Sequence, residues 1–125
     1  RTALGLEGRV ELLGAVDEST LVDHLARCRA VCYPTASEDY GLLTLEAFQS
    51  GKAVLTCSDS GGPAELVESG THGLVVEPDP DALAEGCRRL MEDAAEAERF
   101  GQAASARAAE HTWERTLPRL LDGVR

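Results

Sequence analysis

One arrangement constrains the fold of this chain more than any other. Two short apolar runs, Ala30–Tyr33 and Ala53–Cys57, bracket a stretch of helical length and pattern. The first run stops at Pro34, which cannot donate to a sheet ladder, and Gly51 introduces the second. Between them Leu42, Leu45 and Phe48 recur at helical spacing, as do Leu43 and Ala47. That spacing predicts a short buried helix over Leu42–Ser50. Strand, loop, helix and strand in succession are the repeating unit of parallel α/β sheets. Glu38 falls in the loop at the first strand's carboxyl end, and Glu46 about one turn inside the helix.

The rest of the chain extends this unit in both directions. Upstream, Arg9–Leu13 (RVELL) is a strand candidate closed by Gly14, and Asp17 can cap a helix over Glu18–Cys28 with Leu21, Val22 and Leu25 inward. Downstream, Ser58–Pro63 is a glycine-containing turn, followed by a helical piece over Ala64–Glu68 and a strand over Leu74–Glu77 that Pro78 stops. Asp79 can cap and Pro80 can open a helix to about Glu92. A second helix covers Ala95–Glu110, and Thr112 can cap a third with Trp113, Leu117, Leu120, Leu121 and Val124 on one face. Pro118 should kink or shorten that last helix. The expected architecture is α/β: a partial doubly wound, Rossmann-like parallel sheet of about four strands with a helical C-terminal tail, in a single domain over residues 1–125.

Composition narrows the function. A length of 125 residues supports one real core, and a formal net charge of −10 argues against nucleic acid gripped through its phosphates. No apolar run approaches the roughly 18 residues of a membrane span, and no signal peptide is read before the first strand candidate. Cys28, Cys32, Cys57 and Cys87 show neither a CxxC pair nor metal-ligand spacing, so they read as structural thiols of a reduced, cytoplasmic protein, with Cys32 and Cys57 acting as small strand hydrophobes. His24, His72 and His111 are scattered and take surface or structural roles, while Asp59 and Ser60 are turn formers first. The acidic and Arg-rich stretch Glu85–Arg107 reads as a solvated helical face.

In open parallel sheets ligands lie outside the carboxyl ends of the strands, here residues 34–41, 57–62 and 14–17. Gly41 lets a ligand approach the backbone closely, and the free amides of Leu42, Leu43 and Thr44 at a helix start favour an anion such as a phosphate. One turn further on, about 5.4 Å away, the Glu46 carboxylate could accept two hydrogen bonds from the vicinal diol of a ribose. The other reading of Glu46 is a carboxylate on the helix's solvated side, and Glu38 reads equally as a loop carboxylate.

Glu38, seven intervening residues and Glu46, with Gly41 between and LEAFQSGKAV following, resemble the signature of the retaining glycosyltransferases of family 4, which have the GT-B fold. Gly61-Gly62-Pro63-Ala64-Glu65 is similar to that family's Gly-Gly-x-x-Glu turn, and Thr71-His72-Gly73-Leu74-Val75-Val76 to its final strand. Val10-Glu11-Leu12-Leu13-Gly14 and Thr112-Trp113-Glu114 resemble the strand entering the domain's second half and the start of its last helix. The resemblance implies that Glu38, Tyr40 and Gly41 bind the donor sugar, that the backbone of Leu42 and Leu43 holds phosphate, and that Glu46 binds the ribose. It implies transfer of a sugar from a nucleoside diphosphate donor with retention, with no metal or other cofactor; no residue here is assigned as catalytic. Glu65 matches the turn but has no physical role beyond the helix start.

The family's diphosphate-binding Arg and Lys lie upstream of the matched segment. Arg9, Arg27, Arg29 and Lys52 fall at the opposite, amino ends of the strands. The expected reading is therefore the C-terminal portion of a donor-binding domain. Its partners are the nucleoside diphosphate sugar and an N-terminal acceptor domain; by itself it is expected to be inactive. A non-catalytic nucleotide-binding or interaction module is the alternative. A doubly wound regulator ranks last, because Asp17 and Asp59 make no convincing phosphoacceptor pocket. The usual strand order would also leave Ala30–Tyr33 as an apolar edge. Either Val10–Leu13 moves in beside it, or two chains pair across it as a homodimer.

Overall fold

Side-chain caps start three of the helices, each where a carboxylate stands ready. The computed structural model describes residues 2–122. In it Asp17 Oδ1 accepts from the Thr20 amide at 2.8 Å and opens α1 (Glu18–Arg27). Asp79 Oδ1 accepts from the Asp81 and Ala82 amides ahead of α4 (Pro80–Glu92), and Asp93 from Glu96 ahead of α5 (Ala94–Ala108). The remaining helices are α2 (Leu42–Gln49), α3 (Gly62–Leu66) and α6 (Trp113–Asp122).

Three strands alternate with the first helices: β1 (Ala30–Cys32), β2 (Ala53–Cys57) and β3 (Gly73–Val76). They form one parallel sheet in the order β1-β2-β3, with Val31 beside Val54 and Leu55 beside Leu74. All five residues of β2 are buried, as its unbroken apolar run requires. Alternation sends its side chains to two cores. Val54, with Val31 and Val75, meets Leu25 of α1 and Ala47 and Phe48 of α2. Ala53 and Leu55, with Leu74, meet Leu90 of α4 and Ala97 and Phe100 of α5. Phe48 and Phe100 are the largest wholly buried side chains, each worth on the order of 2–3 kcal/mol of burial. Ala104 and Ala108 carry α5 across to the first core as well.

The expected α/β class and parallel sheet are present, with one correction. Residues 9–13 form no strand, so the sheet among the described residues has three strands rather than four. RVELL alternates Arg9 and Glu11 with Val10 and Leu12, the pattern of a strand covered on one face, and a strand forms only where a ladder and that cover exist together. The segment does not settle beside β1, whose ladder runs to β2 alone among the described residues, and Leu12 stays 79% exposed. α6 carries the expected apolar face. Pro118 lies inside it without ending it, and Trp113, Leu117, Leu120 and Leu121 form an exposed apolar face. Val124, expected on that face, lies outside the described residues. Smaller differences are that α3 starts at Gly62 rather than Ala64, and that Cys32 is exposed rather than in the core.

Candidate functional site

At the carboxyl ends of β1 and β2 the parallel ladder continues into the loops. Tyr33 donates its amide to Leu55 O at 2.8 Å, and Thr56 Oγ1 donates to Tyr33 O at 2.9 Å. Beyond Pro34 the amides of Ser37 and Glu38 donate to Asp59 O and Ser60 O, both at 3.0 Å, and the Gly62 amide returns a bond to Glu38 O at 2.8 Å. Ser60 is wholly buried beneath this junction. Its hydroxyl donates to Thr35 O at 2.6 Å and accepts from the Cys57 amide at 3.2 Å. Loop 34–41 is thus fastened to turn 57–63, and Glu38 is held by its backbone at the junction.

Two glycines allow the close fit. Gly41, the residue before α2, has φ 73° and ψ 56°, and a β-carbon there would lie 2.5 Å from Pro63 Cγ. At Gly62 a β-carbon would lie 2.6 Å from Tyr40 O. With glycine at its start, α2 has no side-chain cap. Among the described residues no acceptor is matched to the Leu42 and Leu43 amides, while Thr44 N turns back to Gly41 O at 2.8 Å. The two open amides carry the positive end of the helix toward the loop.

The six residues singled out in the sequence all lie on or beside this helix start. Glu38 is half-buried, and Tyr33 Oη donates to its Oε2 at a long 3.4 Å. Partial burial, then the charge of Glu38, push the Tyr33 phenol up. Gly41, Leu42 and Leu43 follow at the start of α2. Glu46 is exposed and lines a cleft of about 250 Å³ against Glu18, Leu21 and Val22 of α1. Tyr40 and Leu42 turn their side chains to another groove, of about 640 Å³, walled by Trp113 and Thr112. The two clefts thus run along α2, one past Glu46, Gln49 and Ser50 and the other past Leu42, Leu45 and Gln49. Glu38 lines neither of them, and Glu46 and Tyr40 line different ones.

Ser60 and Tyr33 carry the site's supports, whereas the sequence marks Ser60 as a turn former and Tyr33 as the end of a strand candidate. The available signal for Ser60 is its place between an all-apolar strand and a glycine pair, where a buried hydroxyl can join two loops. Of the histidines, His72 is buried, its Nδ1 accepting from the Glu68 amide, and His111 is half-buried. Among the described residues no three His, Cys, Asp or Glu side chains gather as metal ligands, and no helix is long and apolar enough to cross a membrane.

The profile of the family described as "Glycosyl transferases group 1" matches residues 1–107. The chain belongs to that family. It is 35% identical over 127 residues to sucrose synthase of Acidithiobacillus caldus, covering 93% of this chain and 16% of that protein. The D-inositol 3-phosphate glycosyltransferase of Corynebacterium diphtheriae is 30% identical over 118 residues, covering 94% of this chain and 28% of that one. Among solved structures, sucrose-phosphate synthase of Thermosynechococcus elongatus superposes with TM-score 0.85 at 28% identity, over 99% of this chain and 33% of that one. HepE of Anabaena, solved in complex with UDP-glucose, superposes with TM-score 0.82 at 30% identity, over 98% and 34%. The group 1 glycosyltransferase domain therefore has a GT-B, Rossmann-like architecture here, and it spans about a third or less of these relatives' lengths.

Proposed function

We propose that this chain is the donor-binding portion of a retaining family 4 glycosyltransferase. The observation that carries this reading is the start of α2. A glycine-started, uncapped helix stands at the carboxyl end of a parallel sheet, with Glu38 just before it and Glu46 one turn inside. The Leu42 and Leu43 amides hold the diphosphate, and Glu46 accepts from the two ribose hydroxyls in the α1–α2 cleft. Glu38, with the backbone of Tyr40 and Gly41, holds hydroxyls of the donor sugar. Ser60 and the Gly61-Gly62 turn keep that loop from shifting as the donor binds.

A UDP-sugar is the first donor to test, because HepE, a protein 30% identical to this chain, is solved with UDP-glucose. The sugar passes to an acceptor held by an N-terminal domain of a longer protein in the cytoplasm, with no metal required. At the β1 edge a further strand pairs, either from that longer protein or from a second copy of this chain.

The test is calorimetric titration with a panel of nucleoside diphosphate sugars, with the chain alone and joined to its upstream domain. The joined protein should bind one donor and transfer its sugar. The chain alone should bind weaker than micromolar and transfer none, because an acidic domain with open amides lacks counter-charges for a diphosphate. Glu46→Ala in the joined protein should weaken donor binding by about 1–3 kcal/mol, the cost of unpaired polar groups. Unchanged affinity and turnover in that variant would return Glu46 to a solvated helix face. Donor binding without any transfer by the joined protein would favour a non-catalytic nucleotide-binding module.

A further inference from the structure

Cys32 and Cys87 come together where α4 crosses the edge strand. Val31 turns to the α1–α2 side of the sheet, so its neighbour Cys32 turns to the side that α4 covers. Leu55, the register partner of Cys32, faces the same way, and its Cδ1 lies 2.7 Å from where a Gly86 β-carbon would stand. Cys87 follows Gly86. One turn beyond Cys87 on the same side of the helix, Met91 O accepts from Arg29 Nη1 at 2.7 Å, and Arg29 immediately precedes β1. The helix is thus fixed over β1 at both ends of the Cys87–Met91 turn. Both cysteines are exposed. Desolvation of the sulfur, then the adjacent Cys87, push the Cys32 thiol up to about 11, so it keeps its proton at neutral pH.

We propose that Cys32 and Cys87 are a peroxide-sensitive dithiol that closes to an intramolecular disulfide, stapling α4 to the edge strand. The Cys87 sulfur attacks one oxygen of hydrogen peroxide, the O–O bond breaks, and a sulfenic acid and one water result. The Cys32 sulfur then attacks the Cys87 sulfur. The S–O bond breaks, and the departing hydroxide takes the Cys32 proton to leave as a second water. Two thiols are oxidised, one peroxide is reduced, and a small dithiol reverses the step. The staple falls at the carboxyl end of β1, one residue before Tyr33, which touches Glu38. The other two cysteines have different surroundings. Cys57 is buried toward Glu77 O, and Cys28 lies at the start of the segment leading into β1, with its Sγ–H directed to Leu25 O.

The folded chain is treated with equimolar hydrogen peroxide and then unfolded in denaturant, free thiols are alkylated, and the digest is mapped without reduction. The expected result is one cross-linked pair carrying Cys32 and Cys87, a mass loss of about 2 Da, two alkylated thiols at Cys28 and Cys57, and a Tm raised by roughly 5–15 °C. In Cys32→Ser the disulfide disappears and a sulfenic-acid probe labels Cys87; Cys87→Ala loses both signals. The wild-type map decides the matter even if a variant folds poorly. A link from Cys32 to Cys57 or Cys28, a link between two chains, or full alkylation of Cys32 and Cys87 after the oxidant overturns the proposal.

Discussion

Replacing Gly62 by alanine is the sharpest test of how loop 34–41 is held. The added β-carbon would lie 2.6 Å from Tyr40 O and 2.7 Å from Asp39 O, where ordinary contact begins at 3.4 Å. Both obstacles are backbone atoms, so no side-chain rotation relieves them. The loop must move by roughly 0.8 Å, and a well-packed interior resists such shifts. Overpacking of this kind costs about 1–3 kcal/mol. Moving the loop also stretches the 2.8 Å bond from the Gly62 amide to Glu38 O, worth about 1 kcal/mol. Against this, alanine gains up to about 1 kcal/mol over glycine in a helix. The net expectation is a loss of about 2–3 kcal/mol. Urea unfolding followed by circular dichroism reads it as a midpoint lowered by about 1–2 M, since m for a domain of this size is about 1–3 kcal/mol/M. Gly70→Ala is the control, because its β-carbon meets nothing within 4 Å and only its φ of 84° is strained, at about 1–2 kcal/mol. A Gly62→Ala midpoint within error of the wild type, or a loss no larger than that of Gly70→Ala, would refute the argument that backbone contact holds the loop.

Two further outcomes are expected. Ser60→Ala should destabilise the chain by about 1–3 kcal/mol, because Thr35 O and the Cys57 amide lose a buried partner; urea midpoints check it, and a change below about 0.5 kcal/mol contradicts the role given to that hydroxyl. Stability should also fall with acid through His72: burial lowers its pKa from 6.5, with Arg107 lowering it further and Glu68 and Glu110 opposing, so the unfolded chain binds the proton more readily. That stability is complete above the unfolded value of 6.5 and is lost as pH falls through the lower folded value, where a protonated Nδ1 can no longer accept from the Glu68 amide; His72→Asn should flatten this part of the profile, and an unchanged slope would assign it to carboxylates instead.

Local signals in this chain are legible, and signals that depend on distant partners are not. Asp17, Asp79 and Asp93 each open a helix, because a cap needs only the next three amides. Asp93 is the one that sequence pattern does not mark, its neighbours Ala94 and Ala95 giving no apolar phase to show the start. The bounds of β2 are legible to the residue, since five buried positions between Lys52 and Ser58 leave no other register. The same pattern reading places a strand at residues 9–13, where the residue types are right but no strand forms among the described residues. The site divides the same way. Glu38, Gly41 and Glu46 lie on one short stretch and are visible in it. Ser60 acts on Thr35 across 25 residues, so its place before a glycine pair hints at a buried hydroxyl but does not name the partner.

At the edge strand, residue types and surroundings part. Ala30-Val31-Cys32-Tyr33 has the composition of a strand enclosed on both sides, and its neighbour β2 is enclosed completely. β1 is not: it pairs with β2 alone among the described residues, and its exposure rises toward its carboxyl end. Cys32, a small hydrophobe by composition, is therefore brought to the surface under α4, next to Cys87. Tyr33, one residue on, leaves the strand and reaches Glu38 with its hydroxyl. The thiol pair and the support of the site's first carboxylate thus have one origin. Each is a residue suited to a strand interior that stands at a strand end, where its polar atom meets a neighbour from another element.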